Sequence, residues 1–292
     1  MAVHVPVLTA ELLTALAPSR GGLFVDCTVG LGGHARAVLA AGATRLIGID
    51  RDTEALRLSG AALAEWADRL ELVHADYRQL PQVLDARGID AIDGVVADLG
   101  VSSMQLDQAG RGFSFQRDEP LDMRMDRSCG ATAAERLAEA DEAELADVIF
   151  HYGEERRSRA VARAIVAARR VAPIETTAQL ASIVRRMVAR SGRIDPATRT
   201  FQALRIWVNA ELDGLESFLR ATCARLRPGG RFALVTFHSL EDRPVKHTLR
   251  AIAAESAAFR VLTKKSIVPG DEEIRQNPRA RSARLRAIER VG

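Results

Sequence analysis

The feature that most constrains this chain is a succession of short apolar, β-branched runs separated by amphipathic segments of helical periodicity. The first four runs are 21–26 (GGLFVD), 44–50 (TRLIGID), 69–75 (RLELVHA) and 92–99 (IDGVVADL). Such alternation is typical of βα units in a parallel sheet. A fifth run, 231–237 (RFALVTF), follows after an interval far longer than a normal crossover, so something is inserted there.

The inserted segment has the pattern of consecutive helices. Stretches with a 3.6-residue apolar period cover 131–150, 154–171, 177–190 and 198–225, with breaks at Pro173 and 191–196. We therefore predict an α/β protein with an inserted all-helical domain. The predicted parts are 1–108 and 209–292 for the α/β domain, the latter with a basic tail, and 109–208 for the insertion.

Composition excludes several classes of protein. With 47% hydrophobic and 27% charged residues, the chain is neither disordered, collagenous nor disulfide-stapled. No apolar run reaches the roughly 18 residues of a membrane span, and the start lacks a signal peptide's pattern, so we predict a cytoplasmic protein without membrane contact. Cys27, Cys129 and Cys223 form no metal-binding or disulfide pattern, and we expect them to be reduced and structural.

The net charge of +3 hides blocks of opposite sign. Residues 117–147 carry four Arg against ten acids, whereas 154–199 carry eleven Arg against four acids. Near the end, 275–290 carries six Arg and one acid. Arginine suits phosphate binding, so these basic segments indicate either a nucleic-acid partner or solvated helix faces.

A glycine-rich turn follows the first predicted strand, over 26–34 (DCTVGLGGH), and leads into a helix. Glycine lets backbone approach a ligand closely, although a purely structural tight turn has the same pattern. The second strand ends in Asp50, where a carboxylate can accept the hydroxyls of a ribose. The turn and Asp50 together predict a nucleoside-binding site.

The stretch 226–231 (LRPGGR) immediately precedes the fifth strand. At this place it is typical of Rossmann-like methyltransferases that use S-adenosylmethionine, and a nicotinamide dehydrogenase is not expected to carry it. Methyltransferases of this class end their sheet in an antiparallel hairpin, for which 259–267 and 283–287 are the candidates. The alternative is a simple helix stop followed by a glycine turn.

Long motifs now relate the chain to one family. They are 4–8 (HVPVL), 26–34, 98–107 (DLGVSSMQLD) with 111–115 (RGFSF) and 121–126 (LDMRMD), 196–209 (PATRTFQALRIWVN), 237–243 (FHSLEDR) and 277–282 (NPRARS). The chain resembles, over essentially its whole length, the MraW/RsmH family, which methylates N4 of a decoding-centre cytosine in bacterial 16S small-subunit ribosomal RNA. One departure is Met104, where the family commonly has proline.

The resemblance implies a class I methyltransferase sheet, S-adenosylmethionine as cofactor, and ribosomal RNA within the small subunit as partner. Carried over by position, the donor-binding residues are Gly32, Gly33, His34, Asp50, Tyr77, Asp98 and Gln105. The oligomeric state stays open, as does the choice between naked RNA and the assembled subunit. The helical insertion and basic tail would face the RNA, with Phe113, Phe115 and Trp207 either stacking on bases or packing in the core.

Three residues are candidates for the chemistry itself. Asp98 ends the fourth strand, where its carboxylate can hold the amino protons of N4, or can contact only the donor. Ser102 follows in the same loop, and His238 with Glu241 follows the fifth strand, where a structural histidine is equally compatible. Sulfonium methyl transfer needs no metal, and Asp122, Asp126 and His151 lack a metal-ligand spacing, so we predict none.

Three rival functions stay open at this point. The first is a methyltransferase acting on a protein or a small molecule. The second is a non-catalytic RNA-binding or assembly factor that keeps a nucleoside pocket. The third is a nicotinamide oxidoreductase, which the absence of a third glycine in the turn disfavours.

Overall fold

The computed structural model describes residues 6–190 and 194–292, so His4 and Val5 of the first motif lie outside the described residues. The chain divides into two compact units: Met1–Gly100 with Leu212–Gly292, here the sheet unit, and Val101–Glu211, here the helical unit. The sequence-based division at 109–208 falls inside the range of the helical unit. The roles assigned to the parts stay predictions.

The sheet unit is built on one seven-stranded sheet, counted over the described residues. Its strands are β1 (Leu23–Asp26), β2 (Arg45–Asp50), β3 (Leu70–His74), β4 (Ile92–Asp98), β5 (Leu226–Thr236), β6 (Phe259–Val261) and β7 (Arg284–Arg290). The order across the sheet is β3-β2-β1-β4-β5-β7-β6, parallel except that β7 runs antiparallel to both its neighbours. The predicted fold class, including the C-terminal antiparallel strands, is confirmed.

The helices are numbered in chain order. The sheet unit holds α1 (Thr9–Leu16), α2 (Gly33–Ala40), α3 (Thr53–Ala62), α4 (Leu80–Asp85), α11 (Leu215–Ala224), α12 (Ser239–Glu255) and α13 (Asp271–Gln276). The helical unit holds α5 (Ser103–Asp107), α6 (Ala133–Glu139), α7 (Glu142–Gly153), α8 (Ser158–Arg169), α9 (Thr177–Met187) and α10 (Ala197–Asn209). Over the described residues, none of these helices has the length and apolar character needed to cross a membrane.

Both faces of the sheet are covered, which is why its central strands are nearly continuous apolar runs. On one face, Val38 and Leu39 of α2 join a core that includes Phe24. On the other face, Leu219 of α11 and Leu249 of α12 belong to the second core. This packing leaves the carboxyl ends of β1, β2 and β4 as an edge where open α/β sheets bind their ligands.

The structure divides each of two predicted helical stretches into two separate helices. The stretch 131–150 breaks because Asp141 accepts a hydrogen bond from the Glu144 amide at 2.8 Å and thereby caps the start of α7. The stretch 198–225 breaks because Ala210 and Gly214 adopt left-handed backbone conformations, with φ of 48° and 66°. The apolar period continues through both breaks, so periodicity alone could not reveal them.

The stretch 226–230 follows the end of α11 at Ala224. It is the start of β5, and pairing with β4 shifts its register between Ile92 and Gly94. Gly230 lies so close to backbone that a Cβ there would come within 2.8 Å of the Arg227 carbonyl oxygen. Residues 227–230 thus form a bulge between the pairs Ile92–Leu226 and Gly94–Arg231, with φ of 79° at Gly229, so the glycines make a tight turn inside the strand.

The helical unit has its own core, and the three predicted stacking aromatics belong to it. Phe113 is buried, and the Phe115 ring lies edge-on to Phe201 with centroids 4.8 Å apart. The Trp207 ring lies under the guanidinium of Arg136 at 4.9 Å. Packing of this kind stabilises the unit without any ligand.

Candidate functional site

The glycine-rich turn is shaped by close packing as well as by backbone conformation. Gly32 has φ of 82°, and a Cβ at this position would lie 2.7 Å from Cδ1 of Leu63. A Cβ on Gly33 would lie 2.9 Å from Cγ of Pro6. Both glycines are thus required by the fold, and they leave the first-turn amides of α2 close to the end of β1.

Carboxylates end three neighbouring strands of the sheet: Asp26 on β1, Asp50 on β2 and Asp98 on β4. Asp26 is 1% exposed, and its Oδ1 accepts a hydrogen bond from the Thr28 amide at 3.1 Å. Within the described residues, Oδ2 of Asp26 and Oδ1 of Asp98 are buried and accept no hydrogen bond. Two buried acceptor atoms thus remain for a donor group at this edge.

The electrostatics of Asp26 reflect this crowding. Burial raises its pKa from the ordinary value to about 7, and the nearby charges of Asp98 and Asp50 raise it further. His34 and the Thr28 amide oppose the shift. A cationic ligand at this edge would relieve both the burial cost and the mutual repulsion of the carboxylates.

Asp50 braces the glycine-rich turn. Its Oδ2 accepts the Gly30 amide at 2.8 Å and its Oδ1 accepts the Asp52 amide at 2.9 Å. Burial nevertheless raises the pKa of this carboxyl to about 6, while the two amide hydrogen bonds lower it. Each carboxylate oxygen has a second lone pair, so Asp50 can still accept two hydroxyl groups.

His34 joins the first turn of α2 to the end of β4. Its Nε2 lies 3.6 Å from Oδ2 of Asp98. Burial alone lowers the pKa of this imidazole, but Asp98 and Asp26 raise it, and the net pKa lies above the ordinary value. The Asp98 amide is fixed in turn by a hydrogen bond to Oγ1 of Thr28 at 2.7 Å.

Asp76 and Tyr77 follow β3 at the same edge. Two arginines hold Asp76: Arg51 at 3.0 Å and Arg78 at 2.7 Å, and these partners keep its pKa below the ordinary value against the effect of burial. The Tyr77 ring lies edge-on to Phe218 with centroids 4.7 Å apart. Asp76 is therefore neutralised within the protein, and the Tyr77 ring is part of a fixed aromatic wall.

His238 and Glu241 contact each other after β5. Nε2 of His238 lies 3.2 Å from Oε1 of Glu241, and Oε2 of the same carboxylate accepts the Phe237 amide at 3.1 Å. Glu241 is buried. It fixes the start of α12 and orients the His238 ring.

Ser102 and Gln105 lie in the helical unit and form a capping box. The Gln105 amide donates to Oγ of Ser102 at 3.2 Å, and the Ser102 amide donates to the side chain of Gln105 at 3.1 Å. The structure thus gives both residues a role in starting α5. Their predicted parts in catalysis and donor binding stay predictions.

Sequence reasoning missed two residues that organise the molecule. The first is Asp26, which the sequence shows as part of the glycine-rich turn and which the structure places at the end of β1. Asn209 is buried and joins two of the motifs: its Oδ1 accepts the Met125 amide, and its Nδ2 donates to the carbonyl oxygens of Met123 and Arg205. Nothing in the sequence pattern indicated that partnership.

The strand order, the antiparallel β7 and the carboxylate-lined edge define an α/β protein of the class I methyltransferase type. The model of the MraW methylase family matches residues 1–291. The chain therefore belongs to that family, and the resemblance drawn from the motifs is confirmed. Members of the family use S-adenosylmethionine, which also confirms the predicted cofactor.

Similar proteins carry a more specific name. Ribosomal RNA small subunit methyltransferase H of Nitrobacter winogradskyi is 54% identical over 302 residues, which cover 99% of this chain and 91% of the relative. The protein of the same name from Bradyrhizobium diazoefficiens is 53% identical, with 99% and 92% covered. An rRNA methylase structure from Streptococcus thermophilus is 12% identical and superposes with a TM-score of 0.43, covering 97% of this chain and 94% of the other.

Proposed function

We propose that this protein transfers a methyl group from S-adenosylmethionine to the exocyclic N4 of a decoding-centre cytidine in 16S ribosomal RNA. The observation that carries the proposal is the edge formed by Asp26, Asp50 and Asp98 with His34. The names of the relatives support ribosomal RNA of the small subunit as the acceptor.

The residues at the edge fit the donor by its chemistry. Asp26, with an unpartnered buried oxygen, suits the ammonium of the donor's amino-acid end. Asp50 has the lone pairs to accept the ribose hydroxyls, and the amides of Gly33 and His34 suit the donor carboxylate. When bound, S-adenosylmethionine supplies a methyl group activated by a sulfonium.

Asp98 has the central part in the acceptor step. The amino lone pair of cytosine is delocalised into the ring, so an acceptor that holds the amino protons helps to localise it. Oδ1 of Asp98 has no hydrogen-bond partner among the described residues and can accept such a proton. The other oxygen, Oδ2, lies 3.6 Å from Nε2 of His34. Ser102 and His238 would orient the target base.

Exposed arginines of the helical unit support an RNA acceptor. Those without a partner in the described chain are Arg156, Arg159, Arg170 and Arg186. Cations of this kind contact phosphates and position an RNA strand, while the target base leaves its stack to reach the donor. Because the proposed acceptor RNA belongs to the small ribosomal subunit, we propose that the reaction takes place in the cytoplasm.

The direct test uses labelled S-adenosylmethionine and small ribosomal subunits from cells that lack this protein. We expect label in N4-methylcytidine after nucleoside analysis. Donor binding without label in RNA would overturn the proposed acceptor and favour another substrate or an assembly role. Absence of donor binding would overturn the interpretation of the carboxylate edge.

A further inference from the structure

A basic cavity of about 360 Å³ opens in the sheet unit between α12, the segment after β6, and β7. Six cations line it: Lys246, Arg250, Lys264, Lys265, Arg284 and Arg286. The remaining lining residue is Ser266, so neither an aromatic ring nor a carboxylate lines this cavity in the described chain. It is distinct from the carboxylate edge.

The lysines of the chain make this cavity unusual. The full sequence contains 41 Lys and Arg, of which only three are Lys, and all three line the cavity. Lys246 comes from α12, whereas Lys264 and Lys265 come from the segment after β6, so the fold brings them together. Lysine is a compact charge on a flexible stem and binds phosphate without the fixed geometry of arginine.

The charges of the cavity are largely uncompensated. Arg286 forms its floor and is paired with the buried Asp242, at 2.7 and 3.0 Å. The other five cations have no carboxylate partner among the described residues, and Arg284 reaches only Oγ of Ser266 at 3.5 Å. Lys246 and Arg250 are one turn apart on α12, where like charges repel. A bound polyanion would relieve this repulsion.

The sheet register relates the cavity to the reacting edge. Asp98 on β4 pairs with Val235 on β5, and Val235 pairs with Leu285 on β7. Leu285 lies between Arg284 and Arg286, so these arginines are at the same level of the sheet as Asp98. Two strand spacings separate them laterally, roughly 10 Å. An RNA chain with one nucleotide base at Asp98 can therefore reach the cavity with a neighbouring phosphate.

We propose that the cavity binds the phosphodiester backbone of the acceptor RNA beside the methylated nucleotide; this inference rests on the proposed function. No aromatic ring of the described chain lines the cavity, so it offers no apolar platform for a stacked base, and a cluster of six cations is suited above all to the negative charge of phosphates. It supplies sequence-independent contacts that hold the strand in register. These contacts come from the sheet unit and add to any made by the helical unit.

The test compares two variants of the full-length protein that lose equal charge. Lys246→Gln/Lys265→Gln removes two cavity lysines. Arg45→Gln/Arg57→Gln removes two exposed arginines from β2 and α3, toward the opposite edge of the sheet. These arginines form only surface ion pairs, which contribute little to stability. The probe is a fluorescein-labelled oligouridine RNA, titrated at several NaCl concentrations. Thermal unfolding verifies that both variants are folded.

We expect the lysine variant to bind the RNA about tenfold more weakly at physiological salt. The slope of the logarithm of the binding constant against the logarithm of the NaCl concentration should be smaller by about 1.4, because two contacts to single-stranded RNA are lost. The arginine variant should bind like the unmodified protein. On small ribosomal subunits, the lysine variant should raise KM for the subunit and leave the affinity for S-adenosylhomocysteine unchanged.

Three results would overturn the inference. The first is an equal salt slope for the two variants. The others are displacement of the labelled RNA by inorganic phosphate as effectively, per phosphate, as by unlabelled oligouridine, or by polyglutamate as effectively as by unlabelled oligouridine. The proposed function fails separately. If the unmodified protein binds oligouridine through these lysines but methylates no subunit, the RNA site is supported and the proposed acceptor is wrong.

Discussion

Nε2 of His34 lies 3.6 Å from Oδ2 of Asp98, so this contact joins the first turn of α2 to the carboxyl end of β4. Burial lowers the pKa of the imidazole, yet the carboxylates raise it above its ordinary value. Oδ2 of Asp98 thus faces His34, whereas Oδ1 is buried and has no hydrogen-bond partner among the described residues.

Asp98→Asn tests whether the two oxygens of Asp98 have separate roles, one toward His34 and one toward the substrate. The amide keeps the shape of the side chain but replaces one acceptor oxygen by a donor and removes the charge facing His34. If Asp98 holds the N4 amino protons, kcat should fall by about 10²–10³-fold, as for loss of one electrostatic contact in a transition state. Methyl transfer and the dissociation constant for S-adenosylhomocysteine are measured separately. Full-rate methylation with normal donor binding would exclude the side chain, and a change in donor affinity alone would assign Asp98 to the donor.

The raised pKa of Asp26, about 7, makes the stability of the ligand-free protein depend on pH. Its pKa in the unfolded chain is the ordinary, lower one, so the folded protein binds more protons between the two values. The free energy of unfolding therefore falls as pH rises from about 4 to about 7, by up to roughly 4 kcal/mol.

Asp26→Asn should remove the contribution of Asp26 to this dependence, while Asp50, whose pKa burial raises to about 6, keeps its own. The variant should unfold at a higher temperature than the unmodified protein at about pH 8 and at nearly the same temperature at about pH 5. Thermal unfolding of both proteins across this range, without ligand, makes the comparison. With S-adenosylhomocysteine present, the order at about pH 8 should reverse, because the carboxylate then has its ammonium partner. A constant difference at all pH values would contradict the assignment.

Asp50→Asn tests the ribose contact. The carboxylate accepts the Gly30 and Asp52 amides, and an amide side chain has only one oxygen to offer them. We expect the dissociation constant for S-adenosylhomocysteine, measured by calorimetry, to rise about 10–100-fold, as for loss of charged hydrogen bonds.

The matched control is Asp52→Asn, two residues further along the chain. Asp52 caps α3 by accepting the Glu54 amide at 3.1 Å, and asparagine caps a helix equally well. This variant should bind the donor product normally. Equal losses in the two variants would indicate that the turn has collapsed and that Asp50 makes no specific ribose contact.

The sheet could be predicted because its strands are buried on both faces and therefore appear as apolar runs. The same logic fails where a local conformation decides the structure. At Ala210 the apolar period continues but the backbone turns left-handed, so one predicted helix becomes α10 and α11. The fifth strand begins at Leu226, before the predicted apolar run at 231–237, because Leu226 pairs with Ile92 across a bulge that apolar patterning does not show.

The candidate site was predictable to the extent that strand ends reveal it. Asp50 and Asp98 follow from the rule that ligands bind at the carboxyl ends of parallel strands. The same rule should have included Asp26. The capping box of Ser102 and Gln105 also has a sequence signature, a serine three residues before a glutamine. The cavity at the three lysines requires the register of β7 and was not visible in sequence.

Asn209→Ala should destabilise the helical unit. The side chain satisfies the Met125 amide at 2.8 Å and the Met123 carbonyl oxygen at 2.8 Å, and both partners are buried. Truncation leaves these groups without hydrogen bonds, at a cost of about 3 kcal/mol. The midpoint of thermal unfolding should fall by roughly 6–12 °C.

Gln202→Ala, on the same helix α10, provides the comparison. Gln202 is half-buried and donates one hydrogen bond, from Nε2 to the Tyr152 carbonyl oxygen at 3.2 Å. Its loss should cost about 1 kcal/mol or less, because water can replace the side chain. Calorimetry on both variants measures the difference. If the two substitutions lower the midpoint equally, the link between the 121–126 and 196–209 motifs contributes no more than an ordinary surface hydrogen bond, and the packing of α7 against α10 must hold the unit together.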